Sequence, residues 1–470
     1  MPATSDSTIS VGESVMSSRT KRLYDWFDKR FNISPLIAEA QRSINFALPS
    51  THTRQNRSKI FWFGYPFYYA GSILAFLAIL QGITGLLLAF HYVPSAVGDP
   101  GTPTQAYTSV QNIMRSVPLG ALIRGIHQWG ANLLVAALVI HAFWAFFRSP
   151  YRVGREISWV LGALSLGLAL AYSFSGYLLP WDQLGYWAAT ISVQIMRSIP
   201  VLGDLIAQIL LGGTTLSPVT LVRMYFYHVS LLPVVAIVLV GAHIGLVMLQ
   251  GVSEPEEVWK PEKTGQASGQ KQAGPLFGPF LPQQITPVLI LSLITLGIVI
   301  LLGAYAVQMP GDPANRFLTP QFIAPEWYFL WAYGLLKWVG WVYEVVRFVP
   351  PATVFGIDLL SAKVIGILVA AGMFLVLVLM PVIDRGDEVR VLRRPLKTAI
   401  GVWAIGLLST LTLYALNEIL SSYLSIPIDT MNPLLGSIVI VVPLAVAVPF
   451  YVILRRHAAK ASAKASAKGA

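Results

Sequence analysis

Long apolar runs alternate with short polar segments along most of the chain. Runs of this length can cross a bilayer core of about 30 Å. Strand-type alternation is absent, and helices satisfy their own backbone groups in lipid. We therefore predict an all-α membrane protein with eight transmembrane helices, near residues 66–91, 121–147, 157–179, 222–249, 285–308, 361–383, 397–420 and 432–454.

Polar segments divide these spans into two modules of four. Residues 61–250 would form the first module and residues 285–455 the second, joined by a linker at 251–284 that is rich in Pro, Gly, Lys and Glu. Residues 1–60 are predicted to be cytoplasmic and 456–470 a disordered basic tail. Residues 20–32 carry Leu23, Trp26, Phe27 and Phe31 at helical spacing, which predicts an amphipathic helix on the membrane surface, with a soluble helix as the alternative.

Composition agrees with a membrane protein, since 55% of residues are hydrophobic and only 12% are charged. The net charge of +11 does not indicate a nucleic-acid partner, because Lys and Arg gather in alternate loops. That alternation predicts that both termini are cytoplasmic. The chain has no cysteine, which excludes iron–sulfur ligation and thioether-attached haem within it. Residues 1–18 lack an apolar core, so no cleavable signal peptide is expected.

Four of the seven histidines lie inside two predicted spans. His127 and His141 are fourteen residues apart, which gives an offset of about 40° and a rise of about 21 Å on an α-helix. His228 and His243 are fifteen apart, for about 60° and about 22 Å. Packed antiparallel, the two helices would bring His127 level with His228 and His141 level with His243. Each cross-helix pair could ligate a haem from both faces.

Glycines repeat the same interval in the neighbouring spans. Gly71 and Gly85 are fourteen residues apart in the first span, and Gly162 and Gly176 in the third. A glycine at each level would let a helix backbone approach a porphyrin. Ordinary helix packing is the alternative for each pair. Two arginines just outside the outer histidines could pair with haem propionates, or lie at the interface for other reasons: Arg124 and Arg223.

These residues resemble the cytochrome b/b6 family over roughly residues 20–455, most specifically through "GYLLPWDQLGYWA" at 176–188 and "PEWY" at 325–328. The fifteen-residue histidine interval and "LYDWFDKRF" are similar to the chloroplast-type branch. In that branch the cytochrome and subunit IV are separate chains, whereas here a subunit-IV-like half is fused to the first. This mixture is typical of bacterial members and implies a multi-pass protein of the bacterial plasma membrane.

The resemblance implies roles for individual residues. His127 and His228 would bind an outer, low-potential b haem, and His141 and His243 an inner, high-potential one. Glu326 would accept a proton at the outer quinol site, which Tyr177 and Tyr333 would line. Two positions depart from the family and leave the inner quinone site poorly defined: Trp144, where an arginine is common, and Met248, where His or Arg is found. An extra haem attached through cysteine is impossible, although non-covalent binding stays open.

The implied function is that of the cytochrome b subunit of a respiratory or photosynthetic bc complex. It would oxidise quinol at the outer face, pass electrons to a quinone at the inner face, and contribute to a proton-motive force by a Q cycle. Expected partners are a Rieske iron–sulfur protein, a c-type cytochrome, lipid and a second copy of the complex. The alternatives are a di-haem membrane anchor of a dehydrogenase or hydrogenase, and a proton-coupled transporter whose histidines relay protons.

Overall fold

A computed structural model of the chain describes residues 69–151, 155–250, 285–346, 361–384 and 391–469, with short pieces at 25, 353–354, 357–358 and 388. The predicted surface helix at 20–32 and the linker at 251–284 lie outside the described residues, apart from Asp25. The described part is almost entirely helical. Its only strands are two-residue pieces, β1 (Thr353–Val354) and β2 (Ile357–Asp358), which pair antiparallel.

Four long helices form a bundle in the first module. They are α1 (Ala70–Ala89), α3 (Gly120–Arg148), α4 (Glu156–Tyr177) and a fourth span of two helices, α7 (Pro218–Phe226) and α8 (Leu232–Gln250). A π-helical turn, Tyr227–Leu231, joins α7 to α8. α1 packs against α3, and α4 packs against α8, so the two histidine-bearing spans are each paired with a glycine-bearing one.

Three shorter helices cover one end of this bundle: α2 (Gln105–Arg115), α5 (Gln183–Arg197) and α6 (Gly203–Leu211). Asp182 caps the start of α5, where its carboxylate accepts from the amide of Gly185 at 2.9 Å. A capping box between Ser217 and Thr220 starts α7. These helices close over a buried cluster that includes Leu178, Trp181, Leu221 and Met224.

The second module begins with α9 (Ile285–Tyr305) and α10 (Trp327–Val346). It continues with α11 (Ala362–Val378), α12 (Met380–Ile383), α13 (Pro395–Ala415), α14 (Asn417–Leu424) and α15 (Ile428–Gly469). α13 packs along α15 and against α10, around a core that includes Leu335, Leu411, Tyr414 and Leu435. A side chain on Gly334 would collide with the carbonyl of Leu411, so α10 and α13 approach through this glycine.

Seven helices in the described part of the chain are long and apolar enough to cross a membrane. The eighth predicted span is present in a shorter form, α11, which has 17 residues. After Leu379 the chain continues as the short helix α12, whose second residue is Pro381. Proline lacks the amide that would continue the hydrogen-bond ladder of α11. The fold class is therefore an all-α membrane protein, as predicted.

In the described part of the chain, the two modules contact each other mainly through four helix pairs: α9 with α3, α9 with α1, α11 with α4, and α13 with α3. Gly125 of α3 and Gly303 of α9 let the two backbones touch, since a side chain on either glycine would meet the other helix within 3.0 Å. Trp129 donates to the carbonyl of Ala306 at 2.8 Å beside this crossing. Small residues at such a crossing are typical of membrane helices.

The C-terminal tail differs from its prediction. Residues 456–469 continue α15 as helix, whereas the sequence analysis expected disorder. The reason is that the low-complexity repeat consists largely of alanine and lysine. Both favour helix, and no residue of this segment before Gly469 breaks it.

Candidate functional site

His127 of α3 and His228 of the π-helical turn face each other across the first bundle, and we call them the outer level. Their ring centroids are 6.2 Å apart and their planes cross at 76°. Bonds from imidazole nitrogen to a transition metal are about 2.0–2.1 Å, so a metal between two imidazoles places the ring centroids roughly 6 Å apart. At the observed separation, His127 and His228 could hold one metal between them.

Hydrogen bonds fix the orientation of both outer rings. The Thr84 hydroxyl donates to the carbonyl of Leu80 at 2.7 Å and lies 3.0 Å from Nδ1 of His127. The Ser175 hydroxyl lies 3.1 Å from Nδ1 of His228, which also faces the carbonyl of Tyr172 at 3.2 Å. A carbonyl can only accept, so Nδ1 of His228 carries the proton. Its Nε2 therefore keeps a lone pair for a metal.

His141 of α3 and His243 of α8 form the inner level. Nδ1 of His243 donates to the carbonyl of Ser158 at 2.7 Å, which again leaves Nε2 as the ligating atom. Nδ1 of His141 is buried and has no hydrogen-bond partner among the described residues. The ring of His141 stacks on Trp144 at a centroid distance of 6.3 Å and an angle of 15°. The guanidinium of Arg148 lies 5.7 Å from the Trp144 ring.

The four glycines lie against these four histidines, one glycine to each ring. A Cβ on Gly85 would stand 3.1 Å from Cε1 of His127, and one on Gly176 would stand 2.6 Å from Cε1 of His228. At the inner level the corresponding distances are 3.8 Å for Gly71 with His141 and 3.1 Å for Gly162 with His243. The glycines thus make room for the imidazoles themselves, and not only for a porphyrin as the sequence analysis supposed.

The π-helical turn resolves the difference between the two histidine intervals. A π-helix bonds residue i to i+5, so one such turn inserts one extra residue into an α-helix without advancing its phase. The fifteen residues from His228 to His243 include most of this turn, Tyr227–Leu231. They therefore match the fourteen α-helical residues from His127 to His141. The sequence analysis had assigned this interval the 60° offset of an ideal α-helix.

The two candidate propionate arginines have backbone partners in the structure. Arg124 donates to the carbonyl of Gln308 and lies 3.5 Å from the sulfur of Met114. Arg223 donates to the carbonyl of Ile209 at 2.5 Å and packs on Gly212. Both lie at the end of the bundle that carries the outer level.

A second set of polar groups surrounds Glu326, just before α10. Burial, together with the nearby carboxylate of Asp182, raises the pKa of Glu326 above its usual value. Burial and the charge of Glu326 likewise raise the pKa of the Tyr328 phenol. Tyr177, at the end of α4, feels the charges of Glu326 and Asp182 and so lies near both. A half-buried carboxyl that holds its proton more firmly suits proton exchange.

The loop before α10 is tied to the "PWDQ" turn of the first module. The Asp182 carboxylate accepts from the amide of Gly311 at 3.0 Å, and the Gln183 side chain accepts from the amide of Asn315 at 2.6 Å. The sequence analysis missed this role of Asp182. The "GYLLPWDQLGYWA" motif contained it, but the spacing of the residues carried no sign of which loop they would meet.

Tyr333 lies on α10, seven residues beyond Glu326 in the sequence. The ammonium of Lys337 is 5.3 Å from its ring centroid. Lys337 in turn forms an ion pair with Glu418 at 3.0 Å. Of the two departures at the inner end, Trp144 stacks on His141 as described, and the side chain of Met248 lies outside the described residues.

Two levels of paired histidines in a four-helix bundle, followed by a second helical module that carries a half-buried glutamate, define a class. This combination is typical of membrane-bound b-type cytochromes. Comparison with known families agrees: the family described as cytochrome b/b6/petB matches residues 62–251, and cytochrome b(C-terminal)/b6/petD matches residues 313–431. The chain belongs to the cytochrome b/b6 family.

Individual relatives support this assignment. Cytochrome b of Cereibacter sphaeroides is 34% identical over 322 residues, covering 67% of this chain and 68% of the relative. A cytochrome bc complex cytochrome b subunit of Chlorobaculum thiosulfatiphilum is 34% identical over 324 residues, with 68% of each chain covered. Cytochrome b6 of Cyanidium caldarium is 32% identical over 234 residues, covering 50% of this chain and 99% of the relative.

A solved structure titled "Hyperthermophilic respiratory Complex III" contains a chain of the same fold, with a TM-score of 0.67 over 92% of this chain and 97% of that one. At 24% identity this likeness concerns the fold alone. Members of the family bind haem b and are core subunits of bc-type oxidoreductase complexes.

Proposed function

We propose that this chain is the cytochrome b subunit of a bc-type quinol oxidoreductase and holds two b haems. His127 and His228 would ligate the outer haem, and His141 and His243 the inner one. The observation that carries the proposal is the 6.2 Å separation of the outer imidazoles, together with the hydrogen bonds that leave Nε2 of His228 and His243 free to bind metal.

Each haem, when bound, supplies reversible one-electron chemistry at its level. The residues of the chain decide where those levels lie. The fourteen residues between His127 and His141 set them about 21 Å apart along the axis of α3. The π-helical turn keeps His228 and His243 in register with them. The bundle would thus connect an outer quinol-oxidation site with an inner quinone-reduction site, as a Q cycle requires.

Glu326 would accept a proton from quinol at the outer site. Its raised pKa, which burial and Asp182 cause, suits a group that takes a proton in an apolar pocket and passes it on to water. Tyr177 would line the same pocket, because it lies close enough to Glu326 and Asp182 to feel their charges. Tyr333 would line this pocket as well, with the ammonium of Lys337 5.3 Å from its ring centroid.

One electron of each quinol would leave through a Rieske iron–sulfur protein to a c-type cytochrome. A cysteine-free chain cannot hold the iron–sulfur cluster itself, so these would be separate subunits. The charge pattern of the loops favours both termini in the cytoplasm. The fusion of a chloroplast-type first half to a subunit-IV-like second half favours a bacterial plasma membrane. Proton release outside and uptake inside would then contribute to a proton-motive force. We expect the complex to be a homodimer.

Purification in mild detergent tests the whole proposal. We expect two b haems per chain in the reduced-minus-oxidised spectrum and a co-purifying Rieske protein and c-type cytochrome. We also expect quinol oxidation that an inhibitor of the outer site blocks. A coloured preparation whose turnover ignores such an inhibitor would point instead to a di-haem anchor of a dehydrogenase. A colourless one would favour the transporter hypothesis.

A further inference from the structure

The two histidine levels differ in the groups that surround Nδ1. At the outer level the residue directly before each glycine carries a hydroxyl: Thr84 precedes Gly85, and Ser175 precedes Gly176. Both hydroxyls are buried, with 5% and 3% of these residues exposed. Each donates its own proton to a carbonyl of its helix, Leu80 at 2.7 Å and Tyr172 at 2.9 Å.

Because each hydroxyl proton is already donated, its oxygen lone pairs are left to accept from the facing imidazole. Thr84 Oγ1 lies 3.0 Å from Nδ1 of His127, and Ser175 Oγ lies 3.1 Å from Nδ1 of His228. The Tyr172 carbonyl is a second partner for His228. Nδ1 of each outer imidazole therefore has at least one oxygen within hydrogen-bond distance.

At the inner level the same two positions are apolar. Ala70 precedes Gly71 and Leu161 precedes Gly162, so neither can supply an acceptor. His243 has the single carbonyl of Ser158 at 2.7 Å. Nδ1 of His141 is buried without a partner among the described residues. The two levels thus differ by two side-chain hydroxyls and by one unsupported imidazole.

Such contacts have a known electronic effect. A ligating imidazole that donates its other N–H becomes more basic, and the hydrogen bonding of axial ligands is one of the levers that set haem potential. A more basic ligand stabilises ferric over ferrous iron and lowers the reduction potential. Stronger support at one level therefore lowers the potential of that haem relative to the other.

We propose that Thr84 and Ser175 are positioning residues whose hydroxyls make the outer haem the lower-potential one, and that the alanine at position 70 keeps the inner haem high. This inference rests on the haem assignment proposed above. It concerns the side chains that determine which of the two haems has the lower reduction potential. That difference decides the direction in which an electron moves between the levels.

Redox titration of the purified complex, followed by absorbance of the two haems, tests this. Thr84→Val and Ser175→Ala should each raise the potential of the outer haem and leave the inner one unchanged. Thr84→Ser keeps the hydroxyl and should restore the wild-type value. If both variants hold two haems at unchanged potentials, the proposal is overturned.

The reciprocal experiment moves the hydroxyl to the inner level. Ala70→Thr should give His141 an acceptor and lower the potential of the inner haem, whereas Ala70→Val adds the same bulk without a hydroxyl and should not. Equal shifts in these two variants would show a steric effect and contradict the proposal. Wild-type protein that lacks haem would instead refute the function proposed above, so the two failures are distinguishable.

Discussion

Glu326 shows how a single residue can carry chemistry in this fold. It belongs to the "PEWY" motif and stands just before α10, half-buried and close to Asp182. The sequence motif singled out this residue, and the family resemblance implied that it accepts a proton from quinol. Neither predicted that the loop before α10 would be fastened to the first module by Asp182 and Gln183, because those contacts join positions about 130 residues apart.

We expect Glu326→Gln to retain both haems and to slow quinol oxidation severely. The amide keeps the shape of the side chain but cannot accept the proton. Glu344→Gln, at an exposed position on α10, is the matched control and should turn over at the wild-type rate. Steady-state assays with quinol and an external acceptor measure this. Normal turnover by Glu326→Gln would rule out its proton role.

The pH dependence of the wild type follows from the raised pKa of Glu326. The residue works as a proton acceptor only when ionised, so the rate should fall as the pH drops through this pKa. That acid limb should lie above the value of about 4.3 for a free glutamate. The limb should disappear from the residual activity of Glu326→Gln. An unchanged limb in the variant would assign it to another group.

At the scale of elements, apolar patterning predicted the long spans well because lipid demands uniform apolar helices. It predicted neither α2 nor α10, which are shaped by tertiary contacts as much as by periodicity. The π-helical turn was also missed. Its only trace in the sequence was the interval of fifteen residues in one span against fourteen in the other.

Deleting one residue from the π-helical turn tests its function. Removal of Val229 should convert the turn to α-helix and leave fourteen α-helical residues between His228 and His243. Both haems should therefore be retained. Removal of Leu134, between His127 and His141, is the control. α3 has no π-turn to absorb the loss, so His141 should rotate by about 100° and the inner haem should be lost.

Haem content per chain, measured by visible spectroscopy, decides between these outcomes. Equal loss of the inner haem in the two deletion variants would show that the π-helical turn does not set the histidine register.

At the scale of the whole molecule, a buried ion cluster joins the two modules at the inner end. The Asp384 carboxylate of the second module accepts from the hydroxyl of Tyr151 at 2.6 Å and pairs with Lys397 at 3.0 Å. Arg394 donates to the same carboxylate at 2.8 Å. Ser149, next to Tyr151, accepts from both cations. The loop after α3 is thereby held against α13.

We expect Asp384→Asn to destabilise the protein by about 3–5 kcal/mol, because two buried cations lose their counter-charge. The side chain of Asp384 is only 7% exposed, so solvent screens the pair little. The double variant Asp384→Asn with Lys397→Met removes one unpaired cation and should recover part of the loss. Thermal unfolding in mild detergent, followed by helical circular dichroism, measures both. Equal stability of Asp384→Asn and wild type would contradict this account.

The same cluster predicts a pH window. Burial alone would raise the pKa of Asp384, but hydrogen bonds from Arg394, Tyr151 and Lys397 outweigh it and hold the pKa well below its usual range. A carboxylate whose pKa is lower in the folded state than in the unfolded state stabilises the protein fully when the pH is above the unfolded pKa of about 3.9. This stabilisation is lost as the pH falls from there through the lower, folded-state pKa. The Asp384 contribution should therefore be intact at pH 5. A loss of that contribution between pH 7 and pH 5 would contradict the assignment.

The whole molecule depends on the two histidine levels, and haem content per chain measures them most directly. We expect two b haems per chain in the wild type and one in His127→Leu, with the inner haem remaining. We expect the converse for His243→Leu. An unchanged count of two haems in either variant, or a wild-type protein without haem absorbance, would contradict the central claim.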